Sequence, residues 1–213
     1  MSKKTISSYR VQSFDQGSDL DPVNRPASAQ GACHNYSTKW LSMILKNRAL
    51  GTADRIQKLR AAAREVQSIN RTWGSTWDNE GSTAANQTAK FYGLEVKGTL
   101  RKSSIDGIGA FAKKYDDCGY IYTFSWANGS AHSIGLYRTA SSVGCFGQRT
   151  GGYIYVFEPN FGEYRMGKSQ LPSWLKMLEK QYHGLGLGKF KSHTLRWVEP
   201  KTAVAVKNGI KVM

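Results

Sequence analysis

Tyr120-Ile121-Tyr122-Thr123-Phe124-Ser125-Trp126, then Asn128-Gly129, then Ser130 to Arg138, is the stretch from which the fold is read. The first run is aromatic and β-branched, the composition of a strand. Asn128-Gly129 tolerates the positive φ that a tight hairpin turn requires, so Ser130 to Arg138 is expected to pair back. A Gly/Ser-rich loop over 139–151 separates this hairpin from another strand, Tyr153 to Phe157, and His193 to Val198 reads as a last one.

Upstream the period is helical. Tyr36, Trp40, Leu41, Ile44 and Leu45 fall on one face, followed by Lys46, Arg48 and Gly51, the cations and glycine stop of a helix C-terminus. That helix begins near Ala32 or Cys33. A second is expected over 53–70, with Ile56, Leu59, Ala63, Val66 and Ile69 inward and Arg55, Lys58, Arg60 and Arg64 outward. A third runs over 83–92 to Gly93. The capping-box-like Ser103-Ser104-Ile105-Asp106 opens a short helix over 104–114. Pro172 to Tyr182 reads as a further helix, with proline in its first turn. Helices first and antiparallel strands after is the pattern of an α+β domain. It is expected over 30–213, behind a polar, irregular lead-in over 1–29. No internal repeat is visible.

The chain has 213 residues, 40% of them hydrophobic, with 6 Trp, 11 Tyr and 8 Phe. This is enough apolar surface for a buried core and excludes a disordered basic tail. The net charge is +15, from 30 Lys+Arg against 15 Asp+Glu. Charge of that sign draws anionic partners. No run of 18 apolar residues occurs, so no membrane-spanning helix is expected. MSKKTISSYR leads into polar sequence without an apolar core, so no cleavable signal peptide is expected either.

Several motif matches do not survive their context. Gly162 to Ser169 fits the G-x-x-x-x-G-K-[ST] phosphate-loop expression. Yet bulky Glu163, Tyr164, Arg165 and Met166 stand where backbone amides should close on phosphates, and Pro172 interrupts the helix that should follow. A basic strand and turn is the better reading. Gly184-Leu185-Gly186-Leu187-Gly188 lacks dinucleotide-binding spacing and reads as a turn. The four histidines show no metal-ligand spacing, and His183 and His193 read as surface residues. No metal and no cofactor is expected. The three cysteines, Cys33, Cys118 and Cys145, are widely spaced and suggest neither a disulfide framework nor zinc. A small buried hydrophobe is the plain reading of each.

One constellation stands out. Gly31-Ala32-Cys33 enters the N-terminus of an amphipathic helix, where the dipole and unpaired amides favour a thiolate and could hold an oxyanion. Ser130-Ala131-His132-Ser133 puts a histidine between small residues just after the hairpin turn. Phe157-Glu158-Pro159-Asn160 supplies a carboxylate and an amide at a strand end. Cys, His and then an acid or amide, on a helix and a neighbouring sheet, is the triad logic of papain-like enzymes. His34 is a poor base, because adjacent helical residues point about 100° apart. Cys118 follows Asp116 and Asp117, which disfavour a thiolate.

These residues resemble the YopT/AvrPphB-type cysteine proteases, papain-like effectors that bacteria deliver into host cells. The matching pieces are Gly31-Ala32-Cys33 with Ser37 and Trp40, then Ala131 to Tyr137, then Phe157-Glu158-Pro159-Asn160-Phe161-Gly162-Glu163-Tyr164. The last is the most specific, and the likeness covers about residues 28 to 182. It implies a papain-like fold with Cys33 as nucleophile, His132 as general base and acid, and Glu158 in the third role. Here the chain departs from the family, which has Asp. The added methylene moves the carboxylate by about 1.5 Å. Either the strand end adjusts or Asn160 takes the orienting role; Asn160 and Gln30 are the candidates for orienting or oxyanion duties. The loop between His132 and Glu158 is longer than the family pattern.

The resemblance implies a protease acting on a host protein and reaching it by a route that needs no signal peptide. The same apparatus could instead deamidate Gln or Asn of a host small GTPase. A basic binding module with a degenerate site is the non-enzyme alternative. From Tyr164 to Met213 there are ten basic and two acidic residues. With the chemistry elsewhere, this basicity suits docking to an anionic protein surface or inner membrane leaflet better than specific nucleic-acid binding.

Overall fold

The computed structural model describes residues 5–19, 32–73, 82–102, 104–143, 149–150 and 152–201. In chain order, a 3-10 turn (Ile6–Tyr9) leads to β1 (Arg10–Gln12) and a single helical turn, Gln16–Asp19. Among the described residues four helices follow: α1 (Ala32–Lys46), α2 (Thr52–Ala61), α3 (Ala63–Trp73) and α4 (Ser82–Phe91). Next come β2 (Leu94–Lys102), α5 (Ile105–Ala112), β3 (Cys118–Ser125) and β4 (Ala131–Arg138), then the two-residue strands β5 (Ser142–Val143) and β6 (Arg149–Thr150). The chain continues through β7 (Tyr153–Glu158), β8 (Gly162–Gly167), a 3-10 turn at Lys168–Gln170, α6 (Leu171–Gly184) and β9 (Ser192–Pro200).

The predicted hairpin is the centre of the sheet. β3 and β4 pair from Cys118↔Arg138 to Ser125↔Ala131, and Gly129 takes the turn at φ 83°. The main sheet runs β1-β8-β7-β4-β3-β9-β2, antiparallel at every pairing. It is covered on both faces, which is why β3 and β4 are almost wholly buried instead of alternating with polar residues. Tyr120, Tyr122, Phe124, Leu136 and Val156 pack with Ile108 of α5 and Trp174, Leu175 and Leu178 of α6. On the opposite face Ile121, Tyr137, Phe157 and Val198 meet Trp40, Leu41 and Leu45 of α1, backed by Ile56, Leu59 and Val66. The architecture is α+β, as the change of period in the sequence predicts.

Glycine lets α1 approach the sheet. A Cβ on Gly135 would lie 2.8 Å from the Trp40 ring and 3.2 Å from the Ser37 carbonyl oxygen, and one on Gly119 would lie 2.8 Å from Leu45. Ser37 Oγ donates to the Ser133 carbonyl at 3.0 Å, and Trp40 stacks on Phe157 with centroids 5.8 Å apart. The helix carrying Cys33 is thereby clamped to the strand carrying His132.

The structure departs from the sequence expectations at several places, one of them Arg55, which is buried instead of outward. Part of the lead-in expected over 1–29 is built into the domain. Arg10–Gln12 forms the edge strand on β8, and Phe14 is 3% exposed between Tyr36 and Phe157. One buried aromatic after three paired residues supplies an anchor that composition does not reveal. The helix expected over 53–70 is two, divided at Ala62, whose N–H is shared by the Lys58 and Leu59 carbonyls. Leu94–Lys102 is a nine-residue strand paired with β9, an element that the sequence reading does not include. His193 is buried, not a surface residue, because the Tyr122 hydroxyl meets its Nδ1 at 2.7 Å. The helix cap falls on Ser104, which accepts from the Gly107 N–H at 3.2 Å. In keeping with the sequence reading, the phosphate-loop match is a strand, Gly162 to Gly167 in register with β7, and its backbone serves the sheet.

Candidate active site

Cys33 is the second residue of the 15-residue α1, so its thiol lies at the positive end of the helix dipole, beside backbone amides that have no partner within the helix. His132 is the second residue of β4, and Glu158 closes β7. The pairings β4–β7 and β4–β3 bring these strand ends to one rim of the sheet, where α1 begins. All three side chains are enclosed: Cys33 is 7% exposed, His132 6% and Glu158 0%.

His132 Nε2 meets Glu158 Oε1 in a short hydrogen-bonded ion pair. Its other ring nitrogen is left for the Cys33 thiol, with which the imidazole shares both a hydrogen bond and an electrostatic interaction. Phe124 and Tyr182 hold the ring between them, each centroid 5.5 Å away. Burial pushes the Cys33 thiol up. The His132 charge and hydrogen bond, with the Ser133 backbone N–H, outweigh it against the opposing Glu158 charge, and the thiol is held below the usual thiol range. For His132 burial works against the charged form, but the charges and hydrogen bonds of Cys33 and Glu158 raise it to about 10. Both shifts favour thiolate and imidazolium together, the reactive form of a cysteine nucleophile.

Glu158, and not Asn160, stands on the imidazole. Its Oε1 also accepts from the Tyr182 hydroxyl at 2.7 Å, and its Oε2 accepts from the Asn160 backbone N–H at 2.9 Å. The Asn160 side chain turns away, donating to Tyr182 Oη at 2.8 Å and accepting from Gln16 Nε2 at 2.7 Å. Gln30, the other candidate for an oxyanion role, lies outside the described residues, as does Cys145. His34 is buried with Nδ1 3.4 Å from Ser133 Oγ, and burial with the nearby Arg196 charge lowers it to about 3, so it stays a neutral, weak base. Cys118 is as buried as Cys33, but burial and the Glu199, Asp117 and Asp116 charges raise its thiol. Among the described residues no cluster of His, Cys, Asp and Glu could hold a metal ion, and no helix is long and apolar enough to cross a membrane.

Sequence reasoning missed Tyr182 and Gln16. Tyr182 shares the apolar face of α6 with Trp174, Leu175 and Leu178 and so reads as core. Its only signal is that a buried tyrosine hydroxyl needs a partner. Gln16 gives no signal, because its partner is 144 residues away.

No protein-family model matches the chain, and no curated protein matches it in sequence. Solved structures do. The crystal structure of the Pseudomonas avirulence protein AvrPphB superposes with a TM-score of 0.65 at 20% identity, covering 92% of this chain and 100% of that one. PatoxP, a cysteine protease-like domain of the Photorhabdus asymbiotica toxin PaTox, superposes with a TM-score of 0.47 at 9% identity, covering 91% of this chain and 55% of that one. The chain has the α+β papain-like fold that it shares with AvrPphB.

Proposed function

We propose that the chain is a cysteine protease of the effector type, acting on a host protein through Cys33, His132 and Glu158. The observation that carries this reading is the contact chain from Glu158 through His132 to a thiol at the N-terminus of α1, which favours thiolate and imidazolium together. In the reaction, the Cys33 sulfur attacks a main-chain carbonyl carbon, and the amides of the first turn of α1 receive the developing oxyanion. His132 gives its proton to the leaving nitrogen as the C–N bond breaks and the thioester forms. It then takes a proton from water, whose oxygen attacks the thioester and returns the thiolate. Glu158 holds the ring and balances the imidazolium throughout.

The likeness to effectors and the basic C-terminal stretch support a host protein met at an anionic surface, whether of that protein or of the membrane it sits on. The test exposes host-cell lysate to the chain or to Cys33→Ala and compares peptides by mass spectrometry. New peptide termini that require Cys33 support the protease. A Cys33-dependent gain of about one dalton on Gln or Asn would replace cleavage with deamidation of a protein such as a small GTPase. No Cys33-dependent change would sink the enzyme reading and leave a basic binding module.

A further inference from the structure

We infer that Gln16 is a positioning residue for the His132 imidazole, acting through a one-way hydrogen-bond chain that runs from Gln16 through Asn160 and Tyr182 to Glu158. The inference rests on the reading of Cys33 and His132 given above.

The direction of every link is set by the carboxylate at the far end. A carboxylate facing an imidazolium only accepts, and Glu158 Oε1 receives both His132 Nε2 and the Tyr182 hydroxyl. Tyr182 has one hydroxyl proton, and it donates that proton in a hydrogen bond to Glu158. The tyrosine oxygen therefore serves as an acceptor for its other neighbour, and Asn160 Nδ2 donates to it at 2.8 Å. That leaves Asn160 Oδ1 facing Gln16, which must present a donor and does so with Nε2 at 2.7 Å. The same asparagine also donates its backbone N–H to Glu158 Oε2, so Asn160 secures the carboxylate on both oxygens, once directly and once through Tyr182.

Gln16 holds the Asn160 amide in that orientation by donating to its Oδ1. With that amide turned over, Oδ1 would face Tyr182 and compete with Glu158 for the single hydroxyl proton. The carboxylate would then lose a donor, and the imidazolium would lose a fixed counter-charge. Gln16 is itself held in place: its backbone N–H donates to the Pro159 carbonyl at 2.8 Å, and Phe14, two residues earlier, is wedged between Tyr36 and Phe157. Burial and the Glu158 charge keep the Tyr182 hydroxyl protonated, as the chain requires. The N-terminal segment thus completes the catalytic rim from outside it.

The test is the pH dependence of iodoacetamide alkylation at Cys33, read by peptide mass spectrometry on the full chain. Gln16→Glu replaces the donor with an acceptor. It is expected to lower the near-neutral rate by about tenfold, the effect of weakening one hydrogen bond to a charged group. The rate at high pH, where any thiol is ionised, should stay unchanged, and a merely structural disturbance would not separate the two. Gln16→Met, which keeps the length and removes the donor, gives a second reading if Gln16→Glu folds poorly. In a Tyr182→Phe background the Gln16 substitutions should have no further effect, because the link they act through is gone. A wild-type neutral rate in both Gln16 variants, or effects that multiply with Tyr182→Phe, would overturn the chain while leaving Cys33 intact as nucleophile. A wild-type protein with no raised neutral rate would instead remove the Cys33 reading, and this one with it.

Discussion

Glu158 and Glu163 are two fully buried carboxylates in one motif, and the structure assigns them different work. Glu163 lies on the opposite side of the sheet from the imidazole. It accepts from Trp40 Nε1 at 2.7 Å, from Thr52 Oγ1 at 3.0 Å and from Arg55 Nε at 3.1 Å, and its ion pair with Arg55 is closed by a further short contact. Arg55 is only 3% exposed. Glu163→Gln removes the charge and turns an amide N–H toward a ring of donors, leaving a buried guanidinium without its counter-charge. Breaking a buried pair from one side costs about 3–5 kcal/mol. For a domain of this size that corresponds to a fall of roughly 6–20 °C in Tm. The assay pairs thermal unfolding with iodoacetamide labelling of Cys33 in the folded range. Glu163→Gln should lose the stability and keep the neutral-pH labelling, whereas Glu158→Gln should lose the labelling while still folded. A Tm within about 2 °C of wild type would refute the buried-pair argument. Loss of Cys33 labelling in folded Glu163→Gln would refute the division of labour.

Glu158→Asp restores the residue that the resembled family carries but retracts the carboxylate by about 1.5 Å from three donors placed for Glu, so the neutral alkylation rate should fall by about tenfold or more. A wild-type pH–rate profile would show that the strand end adjusts. Gly135→Ala puts a methyl against Trp40 and should destabilise by about 1–3 kcal/mol in denaturant unfolding, with slower Cys33 labelling as α1 lifts; an unchanged midpoint would contradict the clamp. The Cys33–His132 pair should also shape stability against pH. Imidazole and thiol ionise at 6.5 and 9.0 in the unfolded chain, whereas the folded imidazolium persists to about 10 and the folded thiolate to below 9.0. Raised His132 contributes fully below 6.5 and is lost as pH climbs through about 10, while lowered Cys33 contributes above 9.0 and is lost as pH falls through its folded value. Where the pH lies above both 6.5 and the folded Cys33 value and below 9.0, the two slopes cancel and their sum is flat, and it declines above 9.0. Subtracting the Tm-against-pH curve of Cys33→Ala should show that plateau, and a difference independent of pH would contradict the ion pair.

What could be read from the chain was local. The Asn128-Gly129 turn sets the register of β3 on β4, and that register places His132 at the strand start. The spacing from Tyr36 to Leu45 sets the face of α1 and puts Cys33 in its first turn. What could not be read was either half-exposed or remote. Leu94, Val96 and Leu100 do alternate in β2, but Gly98 and the charged residues between them weaken the pattern of an edge strand with a register shift between Val96 and Gly98. β1 is three residues long, too short to show a period. Tyr182 reaches Glu158 from 24 residues along the chain and Gln16 reaches Asn160 from 144, and no local pattern records such contacts.

Cys33 is no more exposed than Cys118, at 7% against 8%, so a faster reaction of Cys33 is not explained by greater exposure. The direct test of the central claim is the rate of iodoacetamide labelling of each thiol at about pH 6, resolved by peptide mass spectrometry. The lowered Cys33 thiol should label rapidly and the raised Cys118 thiol barely at all. Equal, slow labelling of both would contradict a thiolate at Cys33 and the mechanism built on it.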